Sequence, residues 1–163
     1  MGLRVRAACG DDAARVALIY VESWNDGFGD LVGYRVLGGV QVERWHRTLS
    51  SASTQWWVAE DGAEIVGFVG VGPSRDPIDV ALGELDTIAV APSHWRLGVG
   101  RSLMTVALRA LAADYRDAIV WTVAGYDRGS RFYEAMGWHR DGGTRANGRE
   151  VSFRRSLADI TDR

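Results

Sequence analysis

Lysine is absent from this chain: all nineteen basic residues are arginine. That excludes a Walker-type phosphate lysine, a Schiff-base lysine and a lysine general base together. Cysteine occurs once, at Cys9, so no intrachain disulfide is expected and a reducing, cytoplasmic setting is the simplest home. The three histidines, His46, His94 and His139, are scattered without ligand spacing, which with a single cysteine leads us to expect no metal centre. No apolar run approaches the roughly 18 residues of a membrane span. The opening MGLRVRAACGDDAARV has neither an apolar core nor a cleavage pattern of the secretory kind. A net charge of −2 lacks the basic excess that nucleic acid attracts, so neither nucleic acid nor a membrane is expected as a partner.

What is present is enough for one ordinary domain over residues 1–163, with 47% apolar residues to build its core. LRVRA (3–7) reads as a first strand. From Asp11 or Asp12 as N-cap, the apolar residues Ala13, Val16, Ala17, Tyr20, Val21 and Trp24 recur with the spacing of an amphipathic helix. The glycine-rich stretch 25–39 is expected to be a loop or broken helix, and 40–51 a second helix. Two β-rich runs in QWWVAEDGAEIVGFVGVG (55–72) flank Asp61-Gly62, a strong hairpin signal. SRDPID (74–79) reads as a turn, ALGELDTIAVAP (81–92) as a long strand stopped by Pro92, and 100–114 as a helix. A buried strand (117–123), a short helix (127–136) ended by Gly137, and a hairpin of 138–140 with 149–157 complete the chain. The order is that of a mixed α/β domain.

Between that long strand and the helix lies HWRLGVGRSLM (94–104), with Gly98 and Gly100 at the helix mouth. A helix N-terminus presents unpaired backbone N–H groups and about half a positive charge, and glycines let an anion approach them. A Rossmann fingerprint would need glycine where Leu103 stands, and a Walker loop would need a lysine. What remains is a diphosphate held by backbone amides, or a turn that only needed slack.

The stretch ELDTIAVAPSHWRLGVGRSLM resembles the acyl-CoA-binding signature of the GNAT superfamily of N-acetyltransferases. RFYEAMGW is similar to that superfamily's closing motif, and WWVAEDGAEIVGFVGVG to the hairpin that precedes its signature. The resemblance implies a single GNAT-like domain with a mostly antiparallel central sheet, splayed between the fourth and fifth strands, and helices on both faces. It implies acetyl-CoA as acyl donor, with pantetheine along strand 84–90 pairing at Ile88 and Val90. The loop Arg96, Leu97, Gly98, Val99, Gly100 and Arg101 would cradle the diphosphate, and an N–H near Ala89 or Val90 would polarise the thioester carbonyl. Two positions depart from the family pattern. Trp95 stands where arginine or glutamine usually opens the loop, and Tyr126 where an asparagine often contacts the cofactor.

The resemblance further implies a strand carboxylate as base, for which Glu84 is the first choice. Asp86 shares its strand face if no bulge intervenes. Tyr133 in the closing motif would serve as acid for the departing thiolate, unless it is only a core tyrosine beside Phe132. The expected activity is direct acetyl transfer to a primary amine. A non-catalytic acyl-CoA-binding sensor on the same fold stays open, as does a homodimer. The acceptor is a small-molecule or peptide amine, and Glu22, Trp24, Asp26, Phe28, Asp30 and Tyr34 are candidates for an acidic, aromatic lid over it.

Overall fold

The alternating apolar pattern of the sequence becomes seven strands, and its helical spacings four helices, in a computed structural model that describes residues 2–160. The elements are β1 (Leu3–Ala7), α1 (Ala13–Val32), α2 (Gly39–Leu49), β2 (Gln55–Asp61), β3 (Glu64–Arg75) and β4 (Ile78–Val90). Then follow α3 (Val99–Asp114), β5 (Asp117–Val123), α4 (Asp127–Ala135), β6 (His139–Arg145) and β7 (Glu150–Ser156). The sheet order is β1-β2-β3-β4-β5-β7-β6. Two-residue connections join β2 to β3 and β3 to β4, so these pairs run antiparallel. β5 is parallel to β4, and their ladder runs only from Leu82↔Asp117 to Leu85↔Val120. Beyond it β5 continues to Val123 paired with β7 alone, while β4 continues to Val90. This is the splay expected between the fourth and fifth strands. No helix among the described residues is long and apolar enough to cross a membrane.

The chain divides into two compact units. In the first, Met1–Gly70 with Thr87–Val106, α1 and α2 lay Val16, Ile19 and Leu49 against Trp56, Val58 and Phe68. Trp45 packs edge-on against Trp56 and Phe68 at 5.3 and 5.1 Å. The neighbouring Gly67 faces the other way, where Leu103 and Val99 of α3 come so close that a Cβ would meet them at 2.9 and 3.1 Å. Helices therefore cover both faces of the sheet here. Arg6 of β1 reaches Asp12 at the mouth of α1 with two hydrogen bonds (2.9 and 3.0 Å) and Glu60 of β2 at 2.7 Å. Asp12 also accepts the Cys9 N–H at 2.9 Å, and Arg6 holds its carboxyl below the ordinary value of 3.8.

In the second unit, Val71–Asp86 with Ala107–Arg163, the core is built on Phe153, Trp138, Tyr133, Ile119 and Val120. Leu111 of α3 and Tyr115, the residue after its end, lie over Gly83, close enough that a Cβ there would meet each at 2.7 Å.

Three expectations are corrected. Residues 25–32 are not loop: α1 runs to Val32 and stops at Gly33, whose φ of 94° ends it. The helical face continues because Phe28 packs edge-on against Trp24 at 5.0 Å, while Gly29 admits the ring of Tyr34. The glycine serves close packing there, not a break. The turn expected over 74–79 shrinks to Asp76-Pro77, a cis peptide, with strand on both sides. The closing hairpin keeps Asp141–Arg145 in β6 through a bulge between Arg140 and Thr144. Asp141 stabilises that bulge by accepting from the Gly143 N–H (2.9 Å), the Ser152 hydroxyl (2.5 Å) and Arg154 (3.2 Å).

Candidate active site

In the first unit the glycine loop forms the expected anion-ready helix mouth. Gly98 O accepts the Ser102 N–H at 3.1 Å, which makes Gly98 the residue flanking α3. The N–H groups of Val99, Gly100 and Arg101 consequently have no carbonyl within α3 to bond. Gly98 has φ 86°, and beyond its own chain neighbours no atom lies within 4 Å of where its Cβ would stand. Arg96 also has positive φ (64°), so the turn alternates handedness in the manner of a backbone nest. Arg96, Leu97 and Arg101 are exposed, whereas Val99 is buried and fixes the start of α3 beside Gly67.

Trp95 does something the sequence did not suggest: its indole N–H donates to Val90 O at 2.7 Å. This ties the loop to the end of β4. The Ala91 N–H donates to Val66 O at 2.8 Å, so by strand alternation Ile88 and Val90 turn their backbone groups away from β3. Ala89 turns its own toward β3, where its carbonyl stands 3.1 Å from a Cβ built on Gly67. Of the two N–H groups considered for a thioester carbonyl, that of Val90 faces outward. Its carbonyl already carries the Trp95 bond.

The proposed lid residues are largely engaged with one another. Trp24 donates to Gly33 O at 2.9 Å, and the Tyr34 hydroxyl donates to Asp30. The Arg35 guanidinium lies over the Trp24 ring at 3.8 Å and the Tyr20 ring at 5.3 Å. An internal arginine thus takes the aromatic face that an external cation would have used.

In the second unit Glu84 and Asp86 share a face, as period-two alternation requires, and one arginine spans them. Arg75 Nη2 lies 3.0 Å from both Glu84 Oε1 and Asp86 Oδ2. The Arg75 backbone N–H and Nε donate to Glu84 Oε2 at 2.9 and 3.4 Å. Both oxygens of Glu84, which is 3% exposed, are therefore engaged, while Asp86 is less deeply set. The Trp121 indole N–H fixes the hairpin tip by donating to Asp76 O at 2.8 Å, and Arg145 lies over the Trp121 ring at 4.4 Å. Sequence reasoning missed Arg75 because it fell inside the stretch taken as a turn. Only the return of β4 along β3 brings it to acids nine and eleven residues later.

Tyr133 is buried, packed between Phe153 (5.6 Å) and Trp138 (6.3 Å). Burial pushes its hydroxyl well above the ordinary tyrosine value of 10.0. That hydroxyl makes no hydrogen bond among the described residues. Both the expected acid and a core tyrosine are compatible with the packing; the unengaged hydroxyl is what a core role leaves without purpose. Tyr126, one residue before α4, has its value raised by burial too and rests its ring on Gly129. Its bulk replaces the short amide expected at that place.

The structure is an α/β domain whose mixed sheet, with its short parallel ladder, leads from the fourth strand into an anion-ready helix. The family model of the acetyltransferase (GNAT) domain matches residues 52–140, and the chain belongs to that family. It is 26% identical to the probable N-acetyltransferase Rv2775 of Mycobacterium tuberculosis, over 87% of this chain and 83% of that protein. It is 34% identical to a mouse protein named probable N-acetyltransferase family 8 member 5, over 59% of this chain and 43% of that one. Among solved structures, the PaiA N-acetyltransferase of Thermoplasma acidophilum in complex with coenzyme A matches with TM-score 0.71 and 16% identity, covering 96% of this chain and 99% of that one. The yncA protein of Salmonella typhimurium, solved with acetyl-CoA, matches with TM-score 0.72 and 17% identity, over 99% and 98%. These two likenesses are of fold.

Proposed function

We propose that this chain is an acyl-CoA-dependent N-acyltransferase moving an acetyl group from acetyl-CoA directly to a primary amine. The observation that carries this is the mouth of α3. Three N–H groups with no acceptor inside α3 follow a glycine at φ 86° with open space over its Cβ position, in a chain of the GNAT family. The residues suit a diphosphate: the donors are backbone, a Cβ would intrude, and Arg96 and Arg101 add exposed positive charge beside them. Acetyl-CoA, when bound, supplies the thioester whose C–S bond is exchanged for an amide C–N bond.

The chain's own residues then have three tasks. Val99, Gly100 and Arg101 hold the diphosphate, with the outward edge of β4 at Ile88 and Val90 aligning the carrier arm. The Val90 N–H is aimed to stabilise negative charge on the acyl oxygen. An alkylammonium near pKa 10.4 must lose about 3.4 units' worth of proton affinity at pH 7, roughly 4.6 kcal/mol, before it can attack. Glu84 and Asp86 provide the negative charge that draws the ammonium in and accept its proton, directly or through water. Arg75 pairs with both acids, and Asp86, less deeply set than Glu84, is the better placed of the two to meet the amine. Tyr133, kept protonated by its burial, donates to the thiolate that leaves.

The grip of Arg75 on Glu84 also favours a second possibility, a sensor that binds acyl-CoA without turnover, in which the three charges are structural. Acetyl-CoA incubated with an amine panel, followed by free-thiol release and product mass, separates the two. Tight binding without thiol release on any amine would refute the transferase.

A further inference from the structure

We infer that the acceptor is an amine bearing a carboxylate on the same carbon, an α-amino acid or a compound ending like one, and that Arg75 recognises the carboxylate. The inference rests on the transferase function proposed above. Arg75 uses its backbone N–H, Nε and Nη2 on Glu84 and Asp86. Its Nη1 makes no hydrogen bond among the described residues, and the side chain is 63% exposed. Two N–H donors of a fixed, largely exposed guanidinium are therefore left for a ligand beside a carboxylate. The guanidinium is held in place by an acid that is almost fully buried and by a hairpin tip pinned through Trp121 to Asp76 O.

Charge sharpens the point. Two carboxylates stand beside one guanidinium, and that surplus of acid draws in an ammonium. A second ammonium on the acceptor would meet Arg75. A carboxylate meets the outward fork instead, in the planar geometry that arginine offers and lysine does not. In an α-amino acid the nitrogen and the carboxyl carbon are about 2.5 Å apart. Asp86 and Nη1 both flank the single atom Nη2, so one small zwitterion can touch the pair. A simple alkylamine would use half of the site, and a polyamine would be repelled by the other half.

The test compares kcat/KM for acetylation of an α-amino acid, its amide, the decarboxylated amine and a diamine of similar size. The acid should lead by roughly ten- to hundredfold, the worth of one charge-assisted contact. In Arg75→Lys and Arg75→Gln that ratio should collapse toward one, whereas a merely structural arginine would lower all four substrates together and keep the ratio. Equal turnover of acid, amide and amine by the wild type would overturn the carboxylate pocket and leave the transferase standing. Binding of acetyl-CoA with no transfer to any of the four, or to a wider amine panel, would overturn both.

Discussion

Replacing Gly98 by alanine separates a phosphate cradle from a turn that only needed slack. The new Cβ meets no protein atom within 4 Å, so the folded state suffers no clash. What remains is the left-handed backbone at φ 86°, which costs a non-glycine residue about 1–2 kcal/mol. For a chain of this size that lowers Tm by roughly 2–8 °C. The fold should tolerate it, because Arg96 already adopts φ 64° two residues earlier. Binding should respond differently. If the anion sits at the mouth of α3, the new Cβ narrows its approach, and losing one hydrogen bond to a charged group is worth about 1.5–3 kcal/mol. Calorimetry should therefore show acetyl-CoA binding roughly ten- to hundredfold more weakly. S-acetylpantetheine, which lacks the diphosphate, serves as the internal control and should bind as it does to the wild type. Equal losses for both compounds would mean general damage. An unchanged acetyl-CoA Kd in a variant with lowered Tm would show that no phosphate lies at this helix mouth.

Three further outcomes follow from the charges and the buried hydroxyl. Tyr133→Phe keeps the ring between Phe153 and Trp138, so kcat should fall by about 10²-fold with little change in acetyl-CoA Kd. Because burial raises the Tyr133 value, no loss of wild-type activity attributable to this group should occur below pH 10, and full kcat in the variant would remove it from the chemistry. Asp86→Asn should lower the rate most at neutral pH and recover part of it as pH nears the amine value, with Glu84→Gln showing the weaker pH dependence; the reverse order in pH–rate profiles would make Glu84 the base. Asp12, whose value Arg6 lowers, stabilises the fold above its unfolded value near 3.8 and loses that contribution as pH falls through the lower folded value. Chemical denaturation should show the gap in stability between wild type and Asp12→Asn closing below about pH 4, and a gap independent of pH would refute the linkage.

Where structure depends on neighbours in the chain, the sequence could be read closely. The hairpin at Asp61-Gly62, the strand 117–123 and the helix ended by Gly137 are each set by local pattern, and each forms where expected. The stretch 25–32 failed because glycine has two uses that a sequence does not distinguish. At Gly33 and Gly98 it permits positive φ, but at Gly29 it makes room for an aromatic ring returning from five residues later. The bulge in β6 was hidden for a related reason. Asp141 and Gly142 look like turn residues, and they do bend the chain, but Ser152 and Arg154 of β7 keep that bend inside the ladder.

The candidate site divides along the same line. The helix mouth is a local object: a strand end, a proline and two glycines suffice to specify it. The acid pair is local too, since two carboxylates two residues apart on a strand must share a face. The partner that modifies them is not local. Arg75 has no spacing relative to Glu84 that announces a contact, yet it binds both carboxylates and takes both oxygens of Glu84.

Trp95 is the reverse case, a departure visible in the sequence whose meaning only the fold supplies. Losing arginine or glutamine at the start of the loop removes a side chain that could reach an anion, and that would count against binding if side chains made the cradle. In the proposed cradle they do not: the donors would be the N–H groups of Val99, Gly100 and Arg101, whose aim depends on where the turn begins. Trp95 fixes that beginning by hydrogen-bonding Val90 O, the last residue of β4. The substitution exchanges charge at the first loop position for rigidity there, and leaves the positive charge to the helix end and to Arg96 and Arg101. The same bond engages a carbonyl on the edge where the carrier arm would lie, so Val90 is left to act chiefly through its N–H. A donor aimed outward beside a rigid turn is what acyl-oxygen stabilisation requires, which is why the departure at Trp95 is compatible with turnover and not only with binding.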